Sequence, residues 1–279
     1  MSRLFNACVT DNVEVTRDYY RLTLSPLDKI RMPEPGNFFM LSIANGYDPL
    51  LKRPFSVHRC MGNNFQILYR TVGKGTALLR KKKPGDVIEV IGPLGNAFPV
   101  RKDMKNIILV AGGLGIAPIF ALAERLISPP RTLQKRGTKR GLKKKDHGNR
   151  KPLLFYGART RDELLCINEL SSIGIDAIIS TDDGSMGYKG TIVTVLKRYF
   201  THHSSLITHH CLFACGPGPM LKAFSEMAEK KKLKGYAALE QNMACGLGTC
   251  LGCTVLTKAG YKRVCKEGPV FPLGDIVWE

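Results

Sequence analysis

The sequence predicts a multidomain β plus α/β fold, and three observations support this prediction. Short β-branched runs separated by turn residues fill residues 1–102, which predicts an antiparallel β-barrel or sandwich. Strand and helix patterns alternate over residues 103–234, which predicts an α/β domain with a parallel sheet. Residues 235–279 hold closely spaced cysteines and too little apolar mass for a core of their own, so we expect a small third domain.

The composition is that of a globular protein. The chain has 279 residues, enough for two domains of ordinary size, and 44% of them are hydrophobic. No secretory signal pattern follows Met1, and the weakly polar run 107–123 falls short of the roughly 20 apolar residues of a spanning helix. We therefore expect a cytoplasmic protein without a membrane partner. Its nine cysteines would stay reduced and serve packing, catalysis or metal binding.

A basic insert spans residues 128–151. Ten of its residues are basic and one, Asp146, is acidic, while prolines and glycines replace the apolar residues of a core. Such a tract can bind nucleic acid or an anionic membrane surface. It carries no aromatic residue that could stack on a base, so we favour a solvated loop and do not expect a nucleic-acid partner.

The first region alternates short apolar runs with Gly, Pro and Asn turns. The predicted strand segments are Val13–Val15, Met40–Ile43, Phe65–Tyr69 and Val87–Val90. Two motifs between them can bind a diphosphate. Arg53 lies beside Pro54 at a strand end, where a guanidinium can fork onto phosphate oxygens. The glycine-bounded segment Arg70–Thr76 predicts a helix that begins at Thr76 and offers backbone N–H groups to the same anion. Each motif also occurs in ordinary surface turns.

The second region repeats a strand followed by a helix. The predicted strands are Ile107–Val110, Pro152–Tyr156 and Cys211–Ala214, and the helices that follow them are Ile116–Ile127, Arg161–Ile173 and Met220–Lys231. Glycine turns join the first and last of these pairs, at residues 111–118 and 215–220. In an open α/β sheet such turns face one crevice, where a nucleotide binds. The first turn is not a full dinucleotide fingerprint, because Pro118 replaces the third glycine, and both turns also suit simple tight connections.

The third region contains a cysteine motif with the spacing Cys245-x4-Cys250-x2-Cys253, followed by Cys265. This is the plant-type arrangement of thiolates around a [2Fe–2S] cluster. Glycines between the cysteines allow the backbone to wrap tightly and direct N–H groups at sulfur. Four thiolates also suit tetrahedral zinc. The x4 gap and the glycine density favour iron–sulfur.

The order of these motifs resembles that of the ferredoxin reductase-like flavoproteins and, among them, the electron-transfer subunits of dihydroorotate dehydrogenase B. The motifs are RPFS at 53–56, VGKGT at 72–76, GGLGIAP at 112–118, CGP at 215–217 and CGLGTCLGC at 245–253, with the tail Arg263–Phe271. The resemblance covers nearly the whole chain except the basic insert.

The resemblance implies an FAD-binding β-barrel at 1–102, an NAD-binding α/β domain at 103–234 and a [2Fe–2S] domain at 235–279. It also implies an FMN-containing dihydroorotate dehydrogenase catalytic subunit as partner, in a heterotetramer of two of each chain. Electrons from dihydroorotate would cross the [2Fe–2S] cluster and FAD to NAD+, in de novo pyrimidine (UMP) biosynthesis. No catalytic residue is implied, because the hydride step needs no side-chain acid or base.

The same resemblance assigns site residues. For FAD they are Arg53, Pro54, Phe55, Ser56, Arg70, Thr71, Val72, Gly75 and Thr76; for the nicotinamide nucleotide Gly113, Gly115, Pro118, Cys215, Gly216 and Pro217; for the cluster Cys245, Cys250, Cys253 and Cys265. Two other interpretations stay open. One is a sibling reductase for a hydrogenase, sulfite reductase or ferredoxin, and the other is a zinc-stabilised module that binds nucleic acid through the basic insert.

Overall fold

The computed structural model describes residues 2–44, 46, 48–101, 104, 106–127, 151–203 and 210–278. The basic insert lies outside the described residues except for Lys151, whose Nζ is 3.1 Å from Asp176 Oδ2. The solvated loop predicted for residues 128–150 therefore stays a prediction. Within the described ranges no helix is both long and apolar enough to cross a membrane.

The first part of the chain is a closed antiparallel barrel, which confirms the barrel predicted from the sequence. Its strands are β1 (Arg3–Thr16), β2 (Tyr19–Pro26), β3 (Phe38–Leu41), β4 (Arg53–Met61), β5 (Asn64–Arg70) and β6 (Val87–Leu94). They pair in the order β1-β2-β5-β4-β3-β6, and β6 returns to β1. Closure leaves no free sheet edge around most of the wall.

Apolar residues at alternate strand positions fill the barrel. Phe5, Ala7 and Val9 of β1 point inward, while the residues between them are more exposed. The rings of Phe39 and Phe65 stack at the centre with centroids 4.1 Å apart. This alternation is what a strand with one buried face requires, and it fixes the strand register.

A short helix, α1 (Lys74–Leu79), connects β5 to β6. It begins at Lys74 and not at Thr76, so the predicted start is corrected. The hydroxyl of Thr76 accepts hydrogen bonds from the N–H groups of Val72 and Gly73, at 2.9 and 3.3 Å. Thr76 therefore supplies one half of a capping box from the third helical position, while Gly73 at the N-cap has no side chain to supply the other half.

The second part is an α/β domain on a mostly parallel sheet, as predicted. The strands are β7 (Asn106–Gly112), β8 (Leu153–Ala158), β9 (Ala177–Thr181), β10 (Tyr188–Lys189), β11 (His210–Cys215) and β12 (Lys234–Ala238); the helices are α2 (Ile116–Ile127), α3 (Ile167–Ser172), α4 (Ile192–His202) and α5 (Gly218–Lys230). The sheet order is β10-β9-β8-β7-β11-β12, and β7 and β11 are neighbours. Buried residues on one sheet face pack with α2 and α3, and those on the other pack with α4 and α5.

The single helix predicted over Arg161–Ile173 is wrong. The segment contains a 3-10 turn over Arg161–Glu163, then an extended residue, and α3 begins only at Ile167. Two features explain the break. Cys166 has a left-handed backbone with φ of 62°, and the N–H of Leu165 donates to Tyr156 Oη at 2.8 Å instead of to a helical carbonyl.

The cysteine-containing segment is attached to both larger parts. It forms a hairpin, β13 (Thr254–Thr257) and β14 (Gly260–Arg263), and then β15 (Val270–Pro272). β15 pairs antiparallel with β12 at the edge of the nucleotide sheet. The predicted domain boundary between residues 234 and 235 falls within β12. The pairing of β12 with β15 therefore joins the two predicted domains in one sheet.

The barrel docks on α2 through β4. His58 is 2% exposed and packs on the ring of Phe120 with centroids 4.7 Å apart. Beside it, Arg59 Nη2 is 2.7 Å from Glu124 Oε1, and its guanidinium lies over the same Phe120 ring. The docking surface therefore combines an apolar contact with a half-buried ion pair.

Burial makes this docking surface sensitive to acid. Burial lowers the pKa of His58 to about 3, whereas histidine in an unfolded chain titrates near 6.5. The unfolded chain therefore binds a proton that the folded chain does not, and stability is lost as pH falls from about 6.5 toward 3. Between pH 7.5 and 5.5 this histidine should lower the free energy of unfolding by about 1.4 kcal/mol.

We expect the free energy of unfolding of His58→Gln to fall by about 1.4 kcal/mol less than that of the wild type between pH 7.5 and 5.5. The reason is that the substitution removes the titrating group. Urea unfolding at pH 7.5 and 5.5 measures the difference. The exposed His202→Gln is the matched control and should keep the wild-type pH dependence. Identical pH dependence in His58→Gln and wild type would contradict the assignment.

Candidate functional site

The barrel wall opens between β4 and β5. Residues 53–56 of β4 pair with β3, but pairing with β5 starts only at Val57 opposite Ile67. Residues 68–70 of β5 pair with β2 on their other side. Two strand edges therefore face each other without a ladder, and their backbone groups are available to a flat polar ligand. The predicted FAD residues 53–56 and 70–72 border this gap.

Arg53 lies at one end of the gap against the start of α1. Its Nη1 donates to the carbonyl of Leu51 at 2.6 Å. A Cβ on Gly75 would lie 3.2 Å from Arg53 Nε, so the glycine gives the guanidinium its space. The structure thus brings Arg53 and Gly75 together, as a shared diphosphate site requires.

Residues along both edges of the gap fit a flavin. Thr71 Oγ1 is buried and has no hydrogen-bond partner among the described residues, which leaves a polar atom that a ligand can satisfy. Phe55 packs edge-on against Tyr69 with ring centroids 6.0 Å apart, which provides an apolar wall. The Arg70 guanidinium lies over the ring of Tyr19.

The two predicted nucleotide turns meet at the carboxyl ends of β7 and β11. A Cβ on Gly115 would lie 2.2 Å from the carbonyl oxygen of Cys215, so the two turns touch backbone to backbone. Gly113 has φ of +51°, a conformation that favours glycine. Pro118 is buried in the first turn of α2, where its missing N–H is not needed. The structure therefore brings both turns together at one crevice.

Cys215 and Glu240 lie beside the second glycine turn. Cys215 is 1% exposed, and burial raises the pKa of its thiol well above the ordinary value. Glu240 follows β12 and lines a cavity of about 310 Å³ together with Gly216 and Pro217. It is open to solvent on one side, yet the cavity walls raise the pKa of its carboxyl group.

Glu240 is a candidate site residue that sequence reasoning missed. It belongs to no glycine turn, so no motif marked it. The available signal was its position at the carboxyl end of the strand beside β11, where open α/β sheets place ligand-binding residues.

The cysteine loop presents its thiols at different depths. Cys253 and Cys265 are buried, Cys245 is half-buried and Cys250 is exposed. The N–H of Leu247 lies 3.3 Å from Cys245 Sγ, and the N–H of Cys265 lies 3.4 Å from Cys253 Sγ. Such N–H groups stabilise negative charge on sulfur, as an iron–sulfur site requires.

The four thiols form two neighbouring pairs, Cys245 with Cys250 and Cys253 with Cys265. Although burial acts in the opposite direction, hydrogen bonds from Thr249, Leu247 and Cys250 lower the pKa of Cys245 to about 5. Burial and the neighbouring Cys253 thiol raise the pKa of Cys265 to about 12.

Among the described residues no three His, Cys, Asp or Glu side chains are arranged around a single metal ion. A binuclear cluster needs two thiolates at each iron, so the pairs Cys245–Cys250 and Cys253–Cys265 fit it.

The loop is held from both sides. Gly246 has φ of +68°, and a Cβ there would lie 2.6 Å from Met40 Cγ in barrel strand β3. On the other side Arg263 Nη1 donates to the carbonyl of Gly248 at 2.6 Å, while its Nε is 3.0 Å from Glu267 Oε2. Hydrogen bonding to Arg263 lowers the pKa of Glu267 to about 2.

The barrel with an open wall, the paired nucleotide turns and the thiol pairs together define an iron–sulfur flavoprotein reductase of the ferredoxin reductase-like class. Residues 109–226 match the family described as an oxidoreductase NAD-binding domain, and residues 240–277 match the iron–sulfur cluster binding domain of dihydroorotate dehydrogenase B. The two matches cover the nucleotide turns and all four cysteines.

Curated relatives match over the full length. The chain is 33% identical to the dihydroorotate dehydrogenase B (NAD(+)) electron transfer subunit of Desulforamulus reducens, over 100% of both chains. It is 36% identical to the subunit of Clostridium perfringens, over 96% of this chain and 95% of the relative. The chain therefore belongs to the family of dihydroorotate dehydrogenase B electron-transfer subunits.

Solved structures agree with this fold. The chain superposes with a TM-score of 0.79 and 26% identity on a structure described as an NADH-dependent reduced ferredoxin-NADP oxidoreductase, over 98% of this chain and 90% of that one. Phthalate dioxygenase reductase shares the fold at a TM-score of 0.63 and 17% identity, over 91% of this chain and 87% of that one.

We expect Gly246→Ala to destabilise the protein and lower its cluster content. The left-handed backbone costs roughly 1–2 kcal/mol for a residue with a Cβ, and the collision with Met40 adds about 1–3 kcal/mol. Urea unfolding and iron analysis of the purified chain measure both effects. Gly274→Ala is the control, because a Cβ there meets nothing within 4 Å. Equal stability and iron content in the two variants would contradict the contact with Met40.

Proposed function

We propose that this chain is the electron-transfer subunit of an NAD-dependent dihydroorotate dehydrogenase in de novo UMP biosynthesis. It would exchange electrons between an FMN-containing subunit that oxidises dihydroorotate and NAD+. When bound, the [2Fe–2S] cluster supplies single-electron transfer and FAD converts single electrons into a hydride. The observation that carries the proposal is the presence of an open barrel wall, paired glycine turns and paired thiols in one chain.

The four cysteines would hold the cluster, Cys245 and Cys250 at one iron and Cys253 and Cys265 at the other. The buried pair faces the protein core. Cys250 is exposed between Leu247 and Leu251, which are 48% and 60% exposed. This apolar rim supports a partner docked at the cluster, because contiguous exposed apolar residues commonly mark protein contacts.

The open barrel wall would hold FAD. Arg53 would bind the diphosphate with its guanidinium, beside Gly75 and the turn that Thr76 closes. Thr71 would donate or accept a hydrogen bond at the ring, where its hydroxyl lacks a partner. Pro54, Phe55, Ser56, Arg70 and Val72 would line the two edges of the gap.

The paired glycine turns would hold NAD(H). Gly113, Gly115 and Pro118 would shape the diphosphate side, and Cys215, Gly216 and Pro217 would shape the nicotinamide side, with Glu240 added by the structure. The three-part division at residues 102 and 234 stays our proposal, as do a cytoplasmic location and a heterotetramer with two copies of each chain.

A sibling role with a hydrogenase, sulfite reductase or ferredoxin is not favoured. Such a protein would keep the same cofactors, but the relatives that match this chain from end to end are named as dihydroorotate dehydrogenase subunits. The zinc-module interpretation leaves the flavin gap and the nucleotide turns without a role.

An anaerobic NADH titration of the purified chain tests the cofactors. We expect flavin and iron–sulfur absorbance bands to be present and to bleach together, because both centres would exchange electrons with NADH. A colourless chain that contains zinc and no iron would contradict the proposal.

We expect Cys250→Ser to abolish dihydroorotate-dependent reduction of NAD+ by the complex of the two subunits. Reduction of the flavin by NADH should persist, because none of the four cysteines lines the cavity beside the nucleotide turns. Cys8→Ser, in β1, is the matched control and should retain both activities. Full activity in Cys250→Ser with unchanged iron content and unchanged iron–sulfur absorbance bands would contradict ligation by Cys250, because an oxygen ligand in place of sulfur changes those bands.

A further inference from the structure

The hydroxyl group of Tyr156 lies at the centre of the nucleotide domain. Tyr156 is in β8, and its side chain is 0% exposed. Its Oη accepts the N–H of Leu165 at 2.8 Å and lies 3.3 Å from the carbonyl oxygen of Gly113. The carbonyl of Glu163 is farther away, at 3.5 Å. The hydroxyl proton therefore has two carbonyl acceptors within reach, and Gly113 is the nearer.

This contact fixes the orientation of one peptide plane in the first nucleotide turn. The Gly113 carbonyl also accepts the N–H of Ile116, so two donors, this N–H and the Tyr156 hydroxyl, fix its direction. The peptide bond between Gly113 and Leu114 is not among the cis bonds of the chain. In a trans peptide the carbonyl and the following N–H point in opposite directions. The N–H of Leu114 must therefore point away from the buried phenol.

Burial also keeps this donor in one state. The surrounding apolar residues raise the pKa of Tyr156 far above its ordinary value, so the hydroxyl keeps its proton at every physiological pH. A phenylalanine at this position would preserve the ring packing and remove the hydrogen bonds.

We propose that Tyr156 is a positioning residue for the coenzyme, which fixes the Gly113–Leu114 peptide so that the Leu114 N–H meets the diphosphate of NAD(H). The inference rests on the proposed function, because it assumes that the crevice holds a dinucleotide. Tyr156 itself does not contact the coenzyme and acts through the backbone of the turn. A preoriented N–H group binds an anion without an ordering cost at the moment of binding.

The test compares Tyr156→Phe with Tyr199→Phe in the holoprotein. Tyr199 lies on α4 at the opposite face of the sheet, so its variant reports the effect of losing a tyrosine hydroxyl elsewhere in this domain. We expect Tyr156→Phe to raise the KM for NADH and the Kd for ADP-ribose about tenfold, near the value of one hydrogen bond. The limiting rate of flavin reduction and the flavin content should stay within about twofold of wild type, as for a loss of uniform binding.

A second measurement follows the wild-type holoprotein and uses a variant only to assign a resonance. In the 15N-leucine-labelled holoprotein, the amide resonance of Leu114, assigned with Leu114→Ile, should shift when ADP-ribose is added. An unshifted resonance, or equal ADP-ribose affinities in Tyr156→Phe and Tyr199→Phe, would overturn the positioning role. A wild-type chain whose flavin NADH does not reduce would instead overturn the proposed function.

Discussion

The contact between β4 and α2 is the constraint on which the rest of the site depends. β4 begins with residues 53–56, which border the flavin gap, and continues with His58 and Arg59, which dock on Phe120 and Glu124 of α2. α2 in turn begins directly after the first nucleotide turn. One strand and one helix therefore carry both the gap and the crevice. With FAD and NAD(H) bound as proposed, their packing would set the separation between the flavin and the nicotinamide, a distance that hydride transfer requires to be short and constant.

The cysteine segment uses the same two parts as its support. Gly246 touches Met40 of the barrel, and β15 pairs with β12 of the nucleotide sheet. Asn96 Nδ2, beyond β6, donates to the carbonyl of Glu267 at 2.7 Å and closes the connection. The thiol pairs are thereby fixed relative to the flavin gap, although they lie on a loop with little regular structure. A rigid support for reactive groups on loops is a general arrangement in enzymes.

Local patterns in the sequence predicted the parts whose causes are local. Period-two alternation predicted the barrel strands, the glycine turns predicted the crevice, and the cysteine spacing predicted the loop that the structure shows with paired thiols. Features caused by distant residues were not predictable. The helix over 161–173 is broken by the hydroxyl of Tyr156, and the flavin gap depends on where β4 pairing with β5 starts. Glu240 belongs to no sequence motif, because a single carboxylate after a strand does not differ from many others in a sequence.

The pairing of β15 with β12 has a consequence for how the protein is made. β12 precedes the cysteine loop in the chain and β15 follows it, so ribosomes must translate the whole loop before the sheet edge can be covered. During that interval the nascent nucleotide domain exposes an unpaired strand, a known starting point for aggregation. Protection of this sheet edge therefore waits until the cysteine loop has been translated, and the short β15 is the element that ends the exposed interval.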